Sequence, residues 1–190
     1  MVVDAFRAHG VTLHIDPQYA AIPGHSVIVP DFPGGGLVSS DPSCAGTDAV
    51  RFSALKAQYF HPSSNHPWHY AIFGNGIFSD SGDAAANCPA TYETGFHPPL
   101  PGMTGFSQLG YSTPQSGLAY NLVVAVQPIR DCPECFLSAD QAEAAIFMHE
   151  LGHNFGLRHG GWPGCLGSED NLKPNYLSVM NYDFYAIGIP

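Results

Sequence analysis

The chain has 190 residues, of which 45% are hydrophobic and only 12% are charged, enough for one globular domain with a buried core. Six basic residues stand against sixteen acidic ones, which gives a formal net charge of −10. This balance disfavours binding to nucleic acid or to anionic membranes. The sequence also lacks an apolar run long enough to cross a bilayer. We therefore expect a monomer with a single domain, residues 1–190, and no membrane insertion.

The first half of the chain alternates between short strands and helices, separated by turns rich in glycine and proline. A helix carrying Phe52, Leu55 and Tyr59 on one side is expected in its middle. The predicted elements are the end of a helix at residues 1–9, strands at 11–15 and 26–30, a helix at 48–59 and a strand at 69–73.

The second half begins with a long irregular stretch, residues 74–117, in which we expect one edge strand at 104–110. Residues 118–126 form an apolar run typical of a strong central strand. A long helix follows at about residues 138–155. Strands that alternate with helices predict a small, loop-rich α/β (α+β) sandwich.

The long helix has a recognisable start. Ser138 followed by Gln141 is a capping-box pattern, and the alanine-rich sequence after it favours a helix. Phe147, Leu151 and Phe155 recur every four residues, so we predict that they form the buried stripe of this helix.

Residues 149–159 contain the pattern H-E-x-x-H-x-x-G-x-x-H. His149 and His153 are four residues apart, so a helix places both imidazoles on one face, where they can bind one metal ion. Glu150 is rotated by about 100° around the helix. It is too far round to be an easy ligand, but it can reach a water molecule on the metal as a general base.

A third histidine ligand requires the chain to turn after the helix, because position 159 does not lie on the shared face. Gly156 suits this turn, since glycine adopts a positive φ without a steric penalty. His159 then returns towards the metal. Three histidine ligands leave a fourth position open for water, which is typical of a catalytic zinc site rather than a structural one.

Downstream, residues 173–182 read K-P-N-Y-L-S-V-M-N-Y and include Met180 and Tyr182. The long histidine motif followed by S-V-M-x-Y resembles the metzincin clan of zinc endopeptidases, over residues 149–182. The K-P-N-Y segment looks like that of little-described bacterial metzincin-like proteases. Gly160 follows the third histidine, where familiar branches have Glu, Pro, Asp, Ser or Thr, so the resemblance is to the clan and not to a named subfamily.

The resemblance implies a zincin-type catalytic domain with a small, twisted, mostly parallel sheet and an antiparallel edge strand. Its upper part spans about residues 1–155 and its lower part about 156–190. Met180 becomes the Met-turn residue, a hydrophobic floor beneath the three histidines. Tyr182 becomes an extra zinc ligand or a stabiliser of the oxyanion.

The resemblance also implies an activity, the hydrolysis of peptide bonds in protein or peptide substrates. One catalytic zinc ion would carry a water molecule that Glu150 activates. Two alternatives are a peptidase of narrow specificity and a zinc-bearing binding or toxin module with little general proteolysis. Glu150 favours an enzyme, because a purely structural metal site has no need of that carboxylate.

Two further groups of side chains offer weaker metal sites. His61, His66 and His69 lie close together in sequence and can be interpreted as a second metal site, although scattered surface histidines are commoner. The oxygen-rich residues between Asp80 and Asn87 can be interpreted as a calcium site, although they lack an EF-hand pattern.

The five cysteines and the chain start bear on location. Cys132 and Cys135 suggest a short-loop disulfide, Cys44 and Cys88 a second one, and Cys165 would be left over, although pairing cannot be deduced from sequence. We expect a secreted, extracellular protein. No signal peptide is recognisable, and a metzincin usually has a strand and a fuller helix before this point. We therefore expect that an N-terminal portion, with any pro-segment, is missing from this chain or was never present.

Overall fold

The computed structural model describes ten stretches of the chain: residues 1–16, 27–29, 49–61, 68–74, 76–77, 104–108, 120–125, 137–161, 170–173 and 175–184. At residues 27–29, 49–50 and 76 the description covers the backbone only. None of the helices in these stretches is long and apolar enough to span a membrane.

The described stretches contain three helices, α1 (Val2–Ala8), α2 (Phe52–Tyr59) and α3 (Ala139–Asn154). Helix α1 confirms the predicted helix end, and α3 confirms the long helix and its capping box. The Ser138 hydroxyl accepts a hydrogen bond from the Gln141 N–H (3.3 Å), and the Gln141 side-chain oxygen accepts one from the Ser138 N–H (3.0 Å). The box therefore satisfies backbone donors that a helix N-terminus otherwise leaves without partners.

One three-stranded sheet is entirely parallel. Strand β1 (Val27–Val29) lies between β2 (Ala49–Arg51) and β4 (Gly76–Ile77). Strand β1 confirms the prediction at residues 26–30, whereas β4 was not predicted. Strand β4 has only two residues, which is too few to give a periodic pattern in the sequence.

The second three-stranded sheet is mixed. Its central strand is β6 (Tyr120–Ala125), which pairs parallel with β3 (His69–Gly74) and antiparallel with β5 (Gly105–Ser107). These strands confirm the predictions at residues 69–73, 104–110 and 118–126. The chain is thus of mixed α/β class, with mainly parallel pairing and one antiparallel strand at the edge of the described sheet.

Strand β6 is at the centre of the core, because Leu122, Val123, Val124 and Ala125 are all 0% exposed. Leu122 and Val124 pack in a cluster with Ala142, Ile146 and Leu151 of α3. Val123 and Ala125 pack in a second cluster with Phe52 and Leu55 of α2 and with Ile72 and Ile77. Successive side chains of a strand point to opposite faces. Helix α3 therefore covers one face of β6, and α2 covers the other.

The predicted strand at residues 11–15 is wrong, since these residues have no regular structure. Gly10 has a φ of +76°, and the Val11 N–H donates to the Phe6 carbonyl (3.1 Å). This geometry caps the C-terminal end of α1. It also occupies the Val11 N–H, which in a strand would pair with a neighbouring strand. Leu13 nevertheless packs against the α3 side of the core.

The predicted helix at residues 48–59 is wrong at its start, because β2 occupies residues 49–51 and α2 begins at Phe52. The β2 residues pair in register with β1, so sheet pairing overrides a weak local preference for helix. Phe52 and Leu55 are buried and Tyr59 is partly buried against them, as their spacing predicted.

The predicted stripe on α3 is only partly correct. Leu151 is 1% exposed and Phe147 packs against the same cluster, but Phe155 is 44% exposed. The helix ends at Asn154, so Phe155 belongs to the cap and turns away from the stripe. It contacts the rings of Phe6 and His69, with centroids 6.3 and 5.0 Å away.

We predict that Ser138→Ala lowers the free energy of unfolding by about 1 kcal/mol, because it removes one half of the capping box. Ser138→Thr is the matched control and should retain most of the stability, since its hydroxyl can accept the same hydrogen bond. Chemical unfolding monitored by circular dichroism measures both. Equal stability of Ser138→Ala and the wild type would contradict a contribution of this cap.

Candidate metal centre

The structure brings the three histidines of the motif together. His153 Nε2 lies 3.1 Å from His149 Nε2 and 3.2 Å from His159 Nε2. The three rings meet at centroid distances of 4.7, 4.8 and 5.3 Å. Among the described residues, this is the one group of three or more His, Cys, Asp or Glu side chains arranged to hold a metal ion. His149, His153 and His159 can therefore bind a metal together.

Backbone carbonyls orient two of these rings. His149 Nδ1 lies 2.7 Å from the Val179 carbonyl oxygen, and His153 Nδ1 lies 2.8 Å from the Leu157 carbonyl oxygen. A carbonyl can only accept, so each Nδ1 carries the proton and donates it. Each Nε2 is then unprotonated, and this is the tautomer that a metal ligand requires.

A glycine turn carries the chain from α3 to the third histidine. Gly156 has a φ of +87°, which confirms the role predicted for it. Its N–H donates to the His153 carbonyl (2.9 Å), and the Leu157 N–H donates to the Gly152 carbonyl (2.9 Å). This pair of bonds is the Schellman motif, in which a left-handed residue ends a helix. The same turn places the Leu157 carbonyl against His153.

Met180 packs against the helix that carries His149 and His153. Its side chain is 1% exposed, and its thioether contacts the α3 backbone at Gly152. A methyl group at position 152 would overlap the Met180 sulfur and lie 3.2 Å from its Cε atom. Sequence reasoning missed Gly152. The available signal was a glycine inside a helix, which costs about 1 kcal/mol relative to alanine and usually has a packing reason.

Asparagine side chains hold the segment around Met180, and these were also missed. Asn181 is 0% exposed and donates to the carbonyls of Lys173 (2.5 Å) and Tyr176 (3.0 Å). The Asn171 side-chain oxygen accepts hydrogen bonds from the N–H groups of Leu172 and Tyr182, both at 2.9 Å. These bonds fix the backbone that presents the Val179 carbonyl to His149.

Burial controls the charge of the histidines. It lowers the pKa of His149 to about 3, reinforced by the neighbouring His153 and His159. Burial also lowers the pKa of His153, although the hydrogen bond to Leu157 opposes the shift. Both imidazoles are therefore neutral near pH 7, which is the form that coordinates a metal.

Glu150 is buried beside the histidines, with 6% of its surface exposed. Burial raises the pKa of its carboxyl to about 8, and the nearby Ser107 hydroxyl opposes this rise. A carboxyl group in this environment can hold a proton near neutral pH, unlike an ordinary surface glutamate.

Tyr182 lies beside the histidines and is partly exposed, with 38% of its surface accessible. Its ring centroid is 4.4 Å from that of His159 and 5.6 Å from that of His149. The structure therefore places Tyr182 against His149 and His159, two of the three candidate ligands; its predicted role as a ligand or oxyanion stabiliser stays a prediction.

His69, one of the three histidines that the sequence offers as a second metal site, belongs instead to a polar cluster next to the three converging histidines. His69 Nδ1 donates to the Asn154 side-chain oxygen (3.0 Å). The Asn154 amide donates to the carbonyls of Gln108 (2.6 Å) and Asn121 (3.1 Å). Asn154, only 2% exposed, thereby ties the end of α3 to the ends of β5 and β6.

The remaining predicted sites are not assembled in the described residues. His61 Nε2 lies 3.0 Å from the Gln58 carbonyl oxygen, and no metal-binding group in the described stretches includes His61 or His69. His66, the oxygen-rich residues 80–87 and all five cysteines lie outside the described residues.

We predict that Gly152→Ala destabilises the protein by about 1–3 kcal/mol through overlap with Met180. Helix propensity alone predicts the opposite sign, a gain of about 1 kcal/mol, so the direction of the change is diagnostic. Unfolding of the metal-free protein measures it. The matched double variant Gly152→Ala/Met180→Ala should lose less stability than the sum of its single variants, because the second change frees the space. A Gly152→Ala protein more stable than the wild type would refute the contact.

Comparison of the chain with protein-family models, with curated proteins and with solved structures gives no match. The three converging histidines and the buried Glu150 are therefore the basis for proposing a function.

Proposed function

We propose that this chain is a zinc-dependent endopeptidase of the metzincin type, which hydrolyses peptide bonds in proteins or peptides. One observation carries the proposal. Three histidine Nε2 atoms converge on one point, and a buried glutamate stands beside them. Three histidines by themselves would explain only metal binding. Glu150 adds the acid–base group that hydrolysis needs.

The donor set fits zinc. Zinc binds histidine nitrogen at about 2.0–2.1 Å with tetrahedral geometry, so two such nitrogens lie about 3.3–3.4 Å apart. The two Nε2 distances of 3.1 and 3.2 Å are close to this value. His149, His153 and His159 would hold the ion and leave one position open, as in catalytic zinc sites.

A zinc ion held by His149, His153 and His159 would supply a Lewis acid, which would polarise the scissile carbonyl and make water more acidic. Glu150 takes the proton from the attacking water and later delivers it to the nitrogen of the leaving amine. Its pKa, raised to about 8 by burial, suits a group that must both accept and release a proton. The Nδ1–carbonyl hydrogen bonds keep the histidine rings in place during this exchange.

Tyr182 is proposed to assist at the open side of the site. Its ring packs on His159 and His149, and its partial exposure leaves it accessible to substrate. It would serve as an extra zinc ligand or donate from its hydroxyl to the oxyanion that forms at the scissile carbonyl.

The substrate is proposed to bind as an extended chain along β5. Within the described part of the sheet, β5 pairs only with β6 and lies at the edge, which leaves one side for an added strand. The net charge of −10 favours protein or peptide substrates over nucleic acid. We further propose that the protein acts as an extracellular monomer.

We predict that the wild type retains about one zinc ion per chain and that His153→Ala loses it, because two histidines remain of three. The exposed His61 lies outside the site, so His61→Ala is the matched control and should keep the metal. Elemental analysis after dialysis against a weak chelator measures the content. Full zinc retention in His153→Ala would show that the ion binds elsewhere.

We predict that Glu150→Gln keeps its zinc but loses about 10²–10⁴-fold in kcat/KM, because the amide has the same shape and cannot take up a proton. Casein, short fluorogenic peptides and a diverse peptide library serve as substrates. Cleavage of short peptides alone would favour a peptidase of narrow specificity. A zinc-loaded wild type that cleaves nothing in the library would favour a binding or toxin module. Undiminished turnover by the Glu150→Gln variant would exclude Glu150 as the general base.

A further inference from the structure

Strand β5 turns one side towards the histidine helix. Gly105 and Ser107 pair with Val124 and Leu122, whose side chains lie on the α3 face of the sheet. Phe106, between them, packs on the α2 face. Alternation along the strand therefore directs Gly105 and Ser107 at α3, where Glu150 projects.

Gly105 has no conformational reason to be glycine, because it is not among the residues with positive φ. It has a steric reason. A methyl group at this position would overlap the Glu150 carboxylate, with both Cγ and Cδ only 2.7 Å away. The carboxylate therefore occupies the space that any other side chain at position 105 would fill.

Ser107 is 8% exposed, and its hydroxyl has no hydrogen-bond partner within the described residues. A buried hydroxyl without a partner costs free energy, so its presence calls for an explanation. Ser107 lies on the same side of β5 as Gly105, the side that meets the Glu150 carboxylate. The Ser107 hydroxyl needs an acceptor, and the Glu150 carboxylate is the acceptor on this side of the strand.

We propose that the helix-facing side of β5 positions the general base: Gly105 leaves the space for the Glu150 carboxylate, and Ser107 donates a hydrogen bond to one of its oxygens. Both are positioning residues, and the inference rests on the proposed function. The edge strand proposed to bind the substrate backbone would then also fix the base. The same strand would then hold both the substrate and the Glu150 carboxylate in place. Proton transfer requires this, because its rate depends on the accurate relative placement of the reacting groups.

The first test is a cycle between positions 105 and 150. Gly105→Ala should keep its zinc and its KM but lower kcat by about 10²-fold, because the methyl group displaces the carboxylate. In the Glu150→Asp background, where the shorter side chain clears the methyl group, the same change should alter kcat by no more than about two-fold. An equal loss in both backgrounds, or no loss in either, would overturn the inference.

The second test concerns the hydroxyl. Ser107→Ala should lower kcat by about ten-fold with KM unchanged, as expected for a lost hydrogen bond to a charged group. Ser107→Thr, which keeps a hydroxyl, should recover most of that loss. A purely structural role predicts instead that kcat follows the melting temperature in both variants. Equal activity of Ser107→Ala and the wild type would remove Ser107 from the proposal.

A third measurement separates this inference from the proposed function. In the zinc-free protein, Gly105→Ala should lower the melting temperature of the wild type but not that of a Glu150→Ala variant, whatever the activity. Loss of this coupling in a protein that cleaves peptides would overturn the positioning role and leave the protease intact. A zinc-loaded wild type without proteolysis would overturn the protease and the catalytic role together, even where the coupling persists.

Discussion

The hydrogen bond between His149 Nδ1 and the Val179 carbonyl, at 2.7 Å, joins the two parts of the chain that make the site. On one side is α3, a rigid helix with a capped start. On the other is the segment before Met180, held by Asn171 and Asn181. Without this bond the ring of His149 could rotate and change tautomer, and its Nε2 would not meet those of His153 and His159. The convergence of the three histidines thus depends on contact between α3 and the segment around Met180.

Two glycines let helix α3 approach its neighbours closely. Gly152 of α3 leaves space for the Met180 thioether, and Gly105 of β5 leaves space for the Glu150 carboxylate. Gly156 has a different task, because its positive φ ends the helix and sends the chain to His159. In the first two cases glycine provides space. In the third it provides a backbone conformation that other residues adopt only with strain.

Burial sets the chemistry of the site. The same apolar packing that covers α3 and β6 keeps His149 and His153 neutral and raises the pKa of Glu150. Neutral imidazoles and a glutamate able to carry a proton are what the proposed hydrolysis requires. This arrangement also buries several polar groups in the interior, where each needs a hydrogen-bond partner. Asn154 and Asn181 satisfy their own buried side-chain amides by donating to backbone carbonyls.

The sequence alone determined the features encoded by local spacing: the capped start of α3 at Ser138, the shared face of His149 and His153, the turn at Gly156 and the apolar strand β6. Each follows from a few consecutive residues and a fixed helical or strand period. Only the tertiary structure decided that residues 49–51 are a strand, that residues 11–15 are not, and that Phe155 faces away from the core. It also decided which glycines touch Met180 and Glu150. These outcomes depend on partners 20 to 50 residues away or on a neighbouring hydrogen bond, and such contacts leave no period in the sequence.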